Sequence, residues 1–68
     1  MSVYRVTELI GASTKSWEDA AREALSTAAE SLRDLRVAEV VAQDIALGDD
    51  GAVATYRTKL RLSFKYEK

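Results

Sequence analysis

Residues 52–66 alternate between two kinds of side chain over their whole length, which no other part of the chain does. One set is mostly apolar and comprises Ala54, Tyr56, Thr58, Leu60, Leu62, Phe64 and Tyr66, and the other is polar. Because successive side chains of a strand point to opposite faces, this period of two predicts a strand with one face toward a core. Residues 3–10 and 37–47 are rich in β-branched side chains and predict two more strands. Gly11 is expected to end the first, and residues 48–51 to form a hairpin loop after the second.

Apolar residues between the first two strands recur at helical spacing and predict a helix over residues 17–34. The apolar stripe comprises Trp17, Ala21, Ala24, Leu25, Ala28, Leu32 and Leu35. Ser16 precedes it as a candidate N-cap, and Asp19 three residues later completes an aspartate version of the capping box. The small side chains in the middle of the stripe favour an amphipathic helix that packs closely on a sheet.

The order of these elements predicts an α+β fold of the β-α-β-β type, in one domain over residues 1–68. The hairpin makes strands 2 and 3 antiparallel, and the helical crossover makes strands 1 and 2 run in the same direction. Strand 3 between them completes a three-stranded antiparallel sheet with the helix on one face.

The second strand is apolar on both faces. A single helix covers only one face of a sheet, so only one apolar face would be expected. One set comprises Val37, Val41, Ile45 and Leu47, and the other comprises Ala38, Val40, Ala42 and Ala46. A slip or bulge in the hairpin exchanges these sets, so the pattern leaves open which of them faces the helix. One helix is expected to cover one face and another subunit the other. The pattern therefore predicts a homo-oligomer.

Composition supports oligomerisation and removes several other classes of function. A core of 68 residues is marginal by itself, and the chain has no Cys, so disulfides and thiolate metal sites are excluded. It also has no His, which removes the commonest general base and the catalytic triads, so we predict no enzyme activity. A net charge of −1 favours neither nucleic acid nor an anionic membrane as a partner. The expectation is a soluble cytoplasmic protein.

The order and spacing of several segments resemble the dodecin family over essentially the whole chain. These segments are VYRVTELIG at residues 3–11, ASTKSWEDAA at 12–21, LRVAEVV at 35–41 and TYRTKLRLSF at 55–64. The resemblance implies a hollow homododecamer of cubic-type symmetry. It also implies that flavins such as riboflavin or FMN bind in pairs at subunit interfaces, for storage and without turnover of a substrate.

The resemblance further implies which positions would contact a flavin. In flavin-binding members an aromatic residue near the start of strand 2 stacks on the isoalloxazine ring, and that position matches Val37. A Gln on strand 3 that hydrogen-bonds the ring matches Arg57, and a polar position further along strand 2 matches Ala42, beside Gln43. Val37, Arg57 and Ala42 all depart from the family's flavin pattern, although Arg57 retains the ability to stack on a ring or to bind a phosphate.

A helix that begins Ser-Trp-Glu, together with Val37 and Arg57, resembles a dodecin subgroup described as calcium-binding. That resemblance implies a site built from oxygen ligands. Candidate ligands are Asp49 and Asp50 in the hairpin loop and Glu39 on strand 2. Each set of carboxylates also has a purely structural explanation. The two aspartates are typical of a polar turn. The strand carboxylates could instead form intersubunit ion pairs; these are Glu8, Glu39 and Asp44 with Arg57, Lys59 and Arg61. Flavin storage and cation binding thus both remain open functions.

Overall fold

The computed structural model describes residues 2–65 and has the order β-α-β-β. The elements are β1 (Tyr4–Ser13), α1 (Trp17–Ser31), β2 (Leu35–Leu47) and β3 (Val53–Lys65). β3 lies between the other two strands and is antiparallel to both, which confirms the predicted sheet. The predicted end of the third strand at Tyr66 lies outside the described residues.

The core lies between α1 and the inner face of β3. Ala20, Ala24 and Ala28 are buried along the helix, and Leu60 and Leu62 are buried beneath them on β3. Ala20 was missing from the predicted stripe, although it is the most deeply buried residue of the helix. Small side chains on the helix and larger ones on the sheet therefore make up this interface.

Ser16 begins the helix as predicted, but Asp19 has a different partner from the one that a capping box provides. The Ser16 hydroxyl accepts a hydrogen bond from the Asp19 backbone N–H at 2.9 Å, which satisfies one of the free donors at the helix start. The Asp19 carboxylate accepts a hydrogen bond from the Ser13 hydroxyl at 2.7 Å. The helix start is thereby attached to the last residue of β1.

Gly11 does not end β1, contrary to the prediction, because the strand continues through it to Ser13. The role of this glycine is a close approach of two backbones. A Cβ at this position would lie 2.0 Å from the Ala20 carbonyl oxygen and 3.0 Å from the Ala24 Cβ. Only glycine lets the helix rest at this distance from the strand.

The helix ends at Ser31, three residues before the predicted end at position 34. Leu32 is already extended, with φ −107° and ψ 142°, and its N–H donates to the Ala28 carbonyl oxygen. Asp34 has a positive φ of 59° and turns the chain into β2, which begins at Leu35. Leu32 and Leu35 both pack against the core, so their apolar character reflects packing after the helix has ended.

The register of β2 against β3 shifts at three places, and these shifts decide which residues face the helix. Arg36 and Val41 are each an extra residue on β2, and a third shift precedes Leu47. Residues directly opposite one another across antiparallel strands share a face. The helix-side face of β2 therefore carries Leu35, Ala38, Val40, Gln43 and Ile45, and the face away from the helix, here called the outer face, carries Val37, Glu39, Ala42, Asp44, Ala46 and Leu47. Each face thus combines members of both sets seen in the sequence.

The helix packs on β1 and β3 and leaves most of β2 uncovered on both faces, so the expectation that the helix covers one face of β2 was wrong. The exposed fraction is 60% for Val37 on the outer face and 53% for Val40 on the helix side. The molecule is elongated, measuring 51 × 20 × 16 Å, and its radius of gyration is 14.0 Å. A compact chain of this length would have a radius of gyration of about 11 Å. The β2–β3 hairpin is therefore an arm that extends beyond the core.

Candidate ligand site on the outer face of the sheet

Opposite charges from all three strands meet on the outer face of the sheet. The Arg61 guanidinium donates to the Glu8 carboxylate at 2.9 Å and to the Glu39 carboxylate at 3.4 Å, and Lys59 lies 3.5 Å from Glu8. The register explains these pairs, because Arg61 lies opposite Glu8 on one side and opposite Glu39 on the other. One chain therefore already forms these pairs by itself, and pairing of the same residues between subunits stays a prediction.

Asp44 and Arg57 form a second charged contact nearer the hairpin loop. Nε and Nη2 of Arg57 donate to the two carboxylate oxygens of Asp44 at 2.6 and 2.8 Å, in a bidentate arrangement. This pair also forms within one chain. The hydrogen bond from Arg57 lowers the pKa of Asp44 from its ordinary value, and the same contact raises the pKa of Arg57.

The pKa of Glu8 is also lowered, first by its hydrogen bond from the Arg61 guanidinium and then by the charge of Lys59. The basic side chains of Arg57, Lys59 and Arg61 on β3 are thus matched by carboxylates on both neighbouring strands. An anionic ligand would have to compete with Glu8, Glu39 and Asp44 for these cations.

Three of the four predicted flavin-contacting residues lie on the outer face, and the fourth does not. Val37 lies opposite Ser63, Ala42 lies opposite Lys59, and Arg57 is on the central strand between β1 and β2. Gln43 lies opposite Thr58, whose side chain is fully buried beneath the helix. The extra residue at Val41 places Ala42 on the outer face with Val37 and turns Gln43 to the helix side. The sequence could not reveal this bulge, because β2 is apolar on both faces.

Trp17 connects the start of the helix to the strands that carry the charged site. Its indole N–H donates to the Asp44 backbone carbonyl at 3.0 Å, and its ring meets Tyr56 edge to face with centroids 5.2 Å apart. The Thr58 hydroxyl donates to the Trp17 carbonyl oxygen at 2.8 Å. Trp17 is thus an anchor within the chain, in agreement with its place on the apolar stripe of the predicted helix. The sequence did not indicate that it holds the backbone of Asp44.

The candidate metal ligands lie in two separate places, the hairpin loop and the middle of β2, and do not form one cluster within the described part of the chain. Asp49 and Asp50 lie in the hairpin loop, where an Asp50 carboxylate oxygen accepts from the Ala52 N–H at 3.0 Å. Glu39 precedes the end of β2 by eight residues, or about 26 Å of strand, and pairs with Arg61. Residues 2–65 contain no group of three or more acidic side chains placed to hold a metal ion.

α1 is the only helix among residues 2–65, and at 15 residues it is too short to span a bilayer.

The dodecin family model matches residues 3–67, and the chain belongs to the dodecin family. Calcium dodecin of Mycobacterium tuberculosis is 52% identical over 65 residues, which cover 96% of this chain and 90% of that protein.

Two solved structures show the same architecture. One is the crystal structure of the calcium-chelating antigen calcium dodecin from M. tuberculosis, described as having a novel calcium-binding site. It matches with a TM-score of 0.85 and 50% identity, over 97% of this chain and 93% of that one. Dodecin from Streptomyces coelicolor matches with a TM-score of 0.90 and 36% identity, over 98% and 94% of the two chains. The predicted family and fold are therefore confirmed.

Proposed function

We propose that this chain assembles into a hollow homododecamer that binds and stores a small ligand without catalysis, and that the ligand is Ca²⁺. The main support for Ca²⁺ as the ligand is the 52% identity with calcium dodecin across nearly the whole of both chains. The identity with the S. coelicolor dodecin structure is lower, at 36%.

The shape of the subunit supports assembly. The chain exposes 5124 Å², whereas a folded monomer of 7.5 kDa exposes about 4,200 Å². Apolar side chains of β2 are open to solvent on both faces, among them Val37 and Leu47 on the outer face and Val40 and Ile45 on the helix side. Such surface is normally buried against another protein.

The outer face supports Ca²⁺ over a flavin. Val37 has no aromatic ring to stack on an isoalloxazine, and the Asp44 carboxylate occupies the Nε–Nη2 edge of the Arg57 guanidinium. A phosphate that bound this edge of Arg57 would have to displace the carboxylate.

A calcium site in this protein would need oxygen ligands from more than one subunit. Ca²⁺ takes six to eight oxygen ligands, whereas the described part of one chain gathers no three carboxylates. The loop carboxylates of Asp49 and Asp50 suit a shared site, because they are exposed and lie at the end of the hairpin arm. Glu39 is a weaker candidate, since Arg61 already neutralises it.

Calorimetric titration of the metal-free protein with CaCl₂, and with MgCl₂ as the control ion, tests the choice of ligand. We expect saturable Ca²⁺ binding that Asp49→Asn with Asp50→Asn abolishes. Asparagine keeps the side-chain oxygen that accepts from Ala52 N–H, so the turn is preserved while the charge is lost. Glu39→Gln is the matched single variant and should have a smaller effect. Absence of saturable Ca²⁺ binding to the wild type would overturn the proposal.

Flavin storage is the second candidate, and it is favoured by the location of Val37, Ala42 and Arg57 on one face. Fluorescence titration of riboflavin and FMN with the wild type should show only weak quenching that does not saturate. The double variant Val37→Trp with Arg57→Gln restores a ring and an amide, and should strengthen flavin binding by about 2- to 12-fold for one aromatic stack. Strong quenching by the wild type would instead establish flavin as the ligand.

A further inference from the structure

Trp17 attaches the start of α1 to the end of β2 that leads into the hairpin loop. The helix packs on β1 and β3, whereas the indole N–H of Trp17, its first residue, reaches past β3 and donates to the Asp44 backbone carbonyl at 3.0 Å. Asp44 precedes Asp49 by five residues and Asp50 by six. This hydrogen bond therefore links the core to the strand segment next to the loop carboxylates.

The indole N–H is held in place by groups on β3. The hydroxyl of Thr58, which is fully buried, donates to the Trp17 carbonyl oxygen at 2.8 Å. The indole ring meets Tyr56 edge to face, with centroids 5.2 Å apart. Because Trp17 is fixed both at its backbone and at its ring, its N–H is already oriented toward β2.

Asp44 is held from two directions. Its carbonyl oxygen accepts from Trp17, and its carboxylate accepts from Arg57 at 2.6 and 2.8 Å. Beyond Asp44 the pairing with β3 is less regular, because the register shifts between Ala46 and Leu47. The direction of the loop therefore depends on how firmly the strand is held at Asp44.

We propose that Trp17 is a positioning residue for the carboxylates of Asp49 and Asp50, and that its hydrogen bond to Asp44 sets the direction in which the loop presents them to Ca²⁺. This inference rests on the proposed function and adds a residue that acts on the ligands without contacting the ion. Binding sites need their ligands within about 0.5 Å of the productive geometry, and a site shared between subunits requires this of every loop.

The hydrogen bond and the bound ion should stabilise each other. If the hydrogen bond from Trp17 favours the arrangement that binds Ca²⁺, bound Ca²⁺ favours the hydrogen bond by the same factor. A purely structural Trp17 would show no such coupling, since its replacement would destabilise the protein equally with and without Ca²⁺.

Calorimetric titration of Trp17→Phe with CaCl₂, beside the wild type and Ser16→Ala, tests this inference. Phenylalanine keeps a ring against Tyr56 and removes the indole N–H. We expect the Kd for Ca²⁺ to rise about 2- to 12-fold, which corresponds to one net hydrogen bond. Ser16→Ala weakens the adjacent helix cap but leaves the contact between Trp17 and Asp44 in place, so its Kd should equal that of the wild type.

The fluorescence of the wild type provides a second measurement that needs no variant of Trp17. The chain has one Trp, so selective excitation of tryptophan reports on Trp17 alone. Its emission should change over the same Ca²⁺ concentrations at which calorimetry shows binding. Asp49→Asn with Asp50→Asn should abolish this change.

An unchanged Kd in Trp17→Phe, or an equal rise in Trp17→Phe and Ser16→Ala, would overturn the inference while leaving Ca²⁺ binding itself intact. Constant Trp17 emission while the wild type binds Ca²⁺ would overturn it as well, and this titration decides the matter if Trp17→Phe does not fold. Absence of saturable Ca²⁺ binding to the wild type would instead refute the proposed function, and this inference with it.

Discussion

Replacing Gly11 by alanine adds one methyl group at the closest approach between β1 and α1. An ideal Cβ at this position lies 2.0 Å from the Ala20 carbonyl oxygen, 2.9 Å from the Ala20 carbonyl carbon and 3.0 Å from the Ala24 Cβ. The first two of these atoms belong to the backbone, so no rotation of a side chain relieves the contact. The helix would have to move away from the strand by more than 1 Å.

The loss of stability comes from the core contacts that this movement of the helix breaks. Overpacking of a well-packed core costs about 1–3 kcal/mol, and here the displaced element carries buried Ala20, Ala24 and Ala28 away from Leu60 and Leu62. Alanine also reduces the entropy of the unfolded chain, which returns about 0.4–1 kcal/mol. We expect Gly11→Ala to lower the free energy of unfolding by about 2 kcal/mol, toward the upper end of this difference, because the contacts that must be relieved are with backbone atoms.

Urea denaturation followed by far-UV circular dichroism at fixed subunit concentration measures this loss, since the stability of an oligomer depends on concentration. The other two glycines provide matched controls. A Cβ at Gly48 meets only the flexible Asp50 carboxylate at 3.2 Å and the Ala52 oxygen at 3.9 Å, so the change should be within about 0.5 kcal/mol. Gly51 has a φ of +79° and open space, so its alanine variant should lose about 1 kcal/mol from backbone strain.

Gly11→Ala should be the least stable of these three variants, and Gly48→Ala the most stable. If Gly11→Ala unfolds at the same urea concentration as Gly48→Ala, the helix and the strand are not held at the distance described, and the account of the core is wrong.

Three further results are expected. Ser16→Ala removes the acceptor for the Asp19 N–H and should lower the unfolding free energy by about 1 kcal/mol in the same urea assay. Trp17→Phe removes the hydrogen bond to the Asp44 carbonyl and should cost about 1 kcal/mol, also in urea. The stabilisation that Asp44 contributes is complete above its ordinary pKa of 3.8 and is lost as pH falls toward its lowered pKa, so Asp44→Asn should flatten the acid side of a plot of melting temperature against pH. An unchanged acid side would contradict a stabilising pair with Arg57.

The sequence predicted the fold well wherever one pattern had one physical explanation. The strict alternation of β3 requires a half-buried strand, and Ser16 before an amphipathic segment is a local signal that depends on no distant contact. The predicted strand order followed from connectivity in the same way. Gly11 was misinterpreted because a glycine that ends a strand and a glycine on which a helix rests look alike in sequence.

The candidate site could be predicted only in part, because its geometry depends on register. Three carboxylates were identified as ion-pair partners, but whether they pair within or between chains depends on which residues lie opposite Arg57 and Arg61. Gln43 was grouped with Ala42 by adjacency, and the two lie on opposite faces. Since every register of β2 presents apolar side chains on both faces, the hydrophobic pattern contained no information that could choose among them.

The extra residue at Val41 gives β2 a place where its length can change without any other side chain changing face. Val40 and Ala42, on either side of it, lie opposite Leu60 and Lys59, which are consecutive on β3. Deleting Val41 would therefore close the bulge and leave Glu39 and Asp44 opposite their arginines. The segments before and after the bulge are held separately, the first at Leu35 in the core and the second by the hairpin loop. The bulge is thus the position at which β2 can lose a residue and keep its pairing with β3.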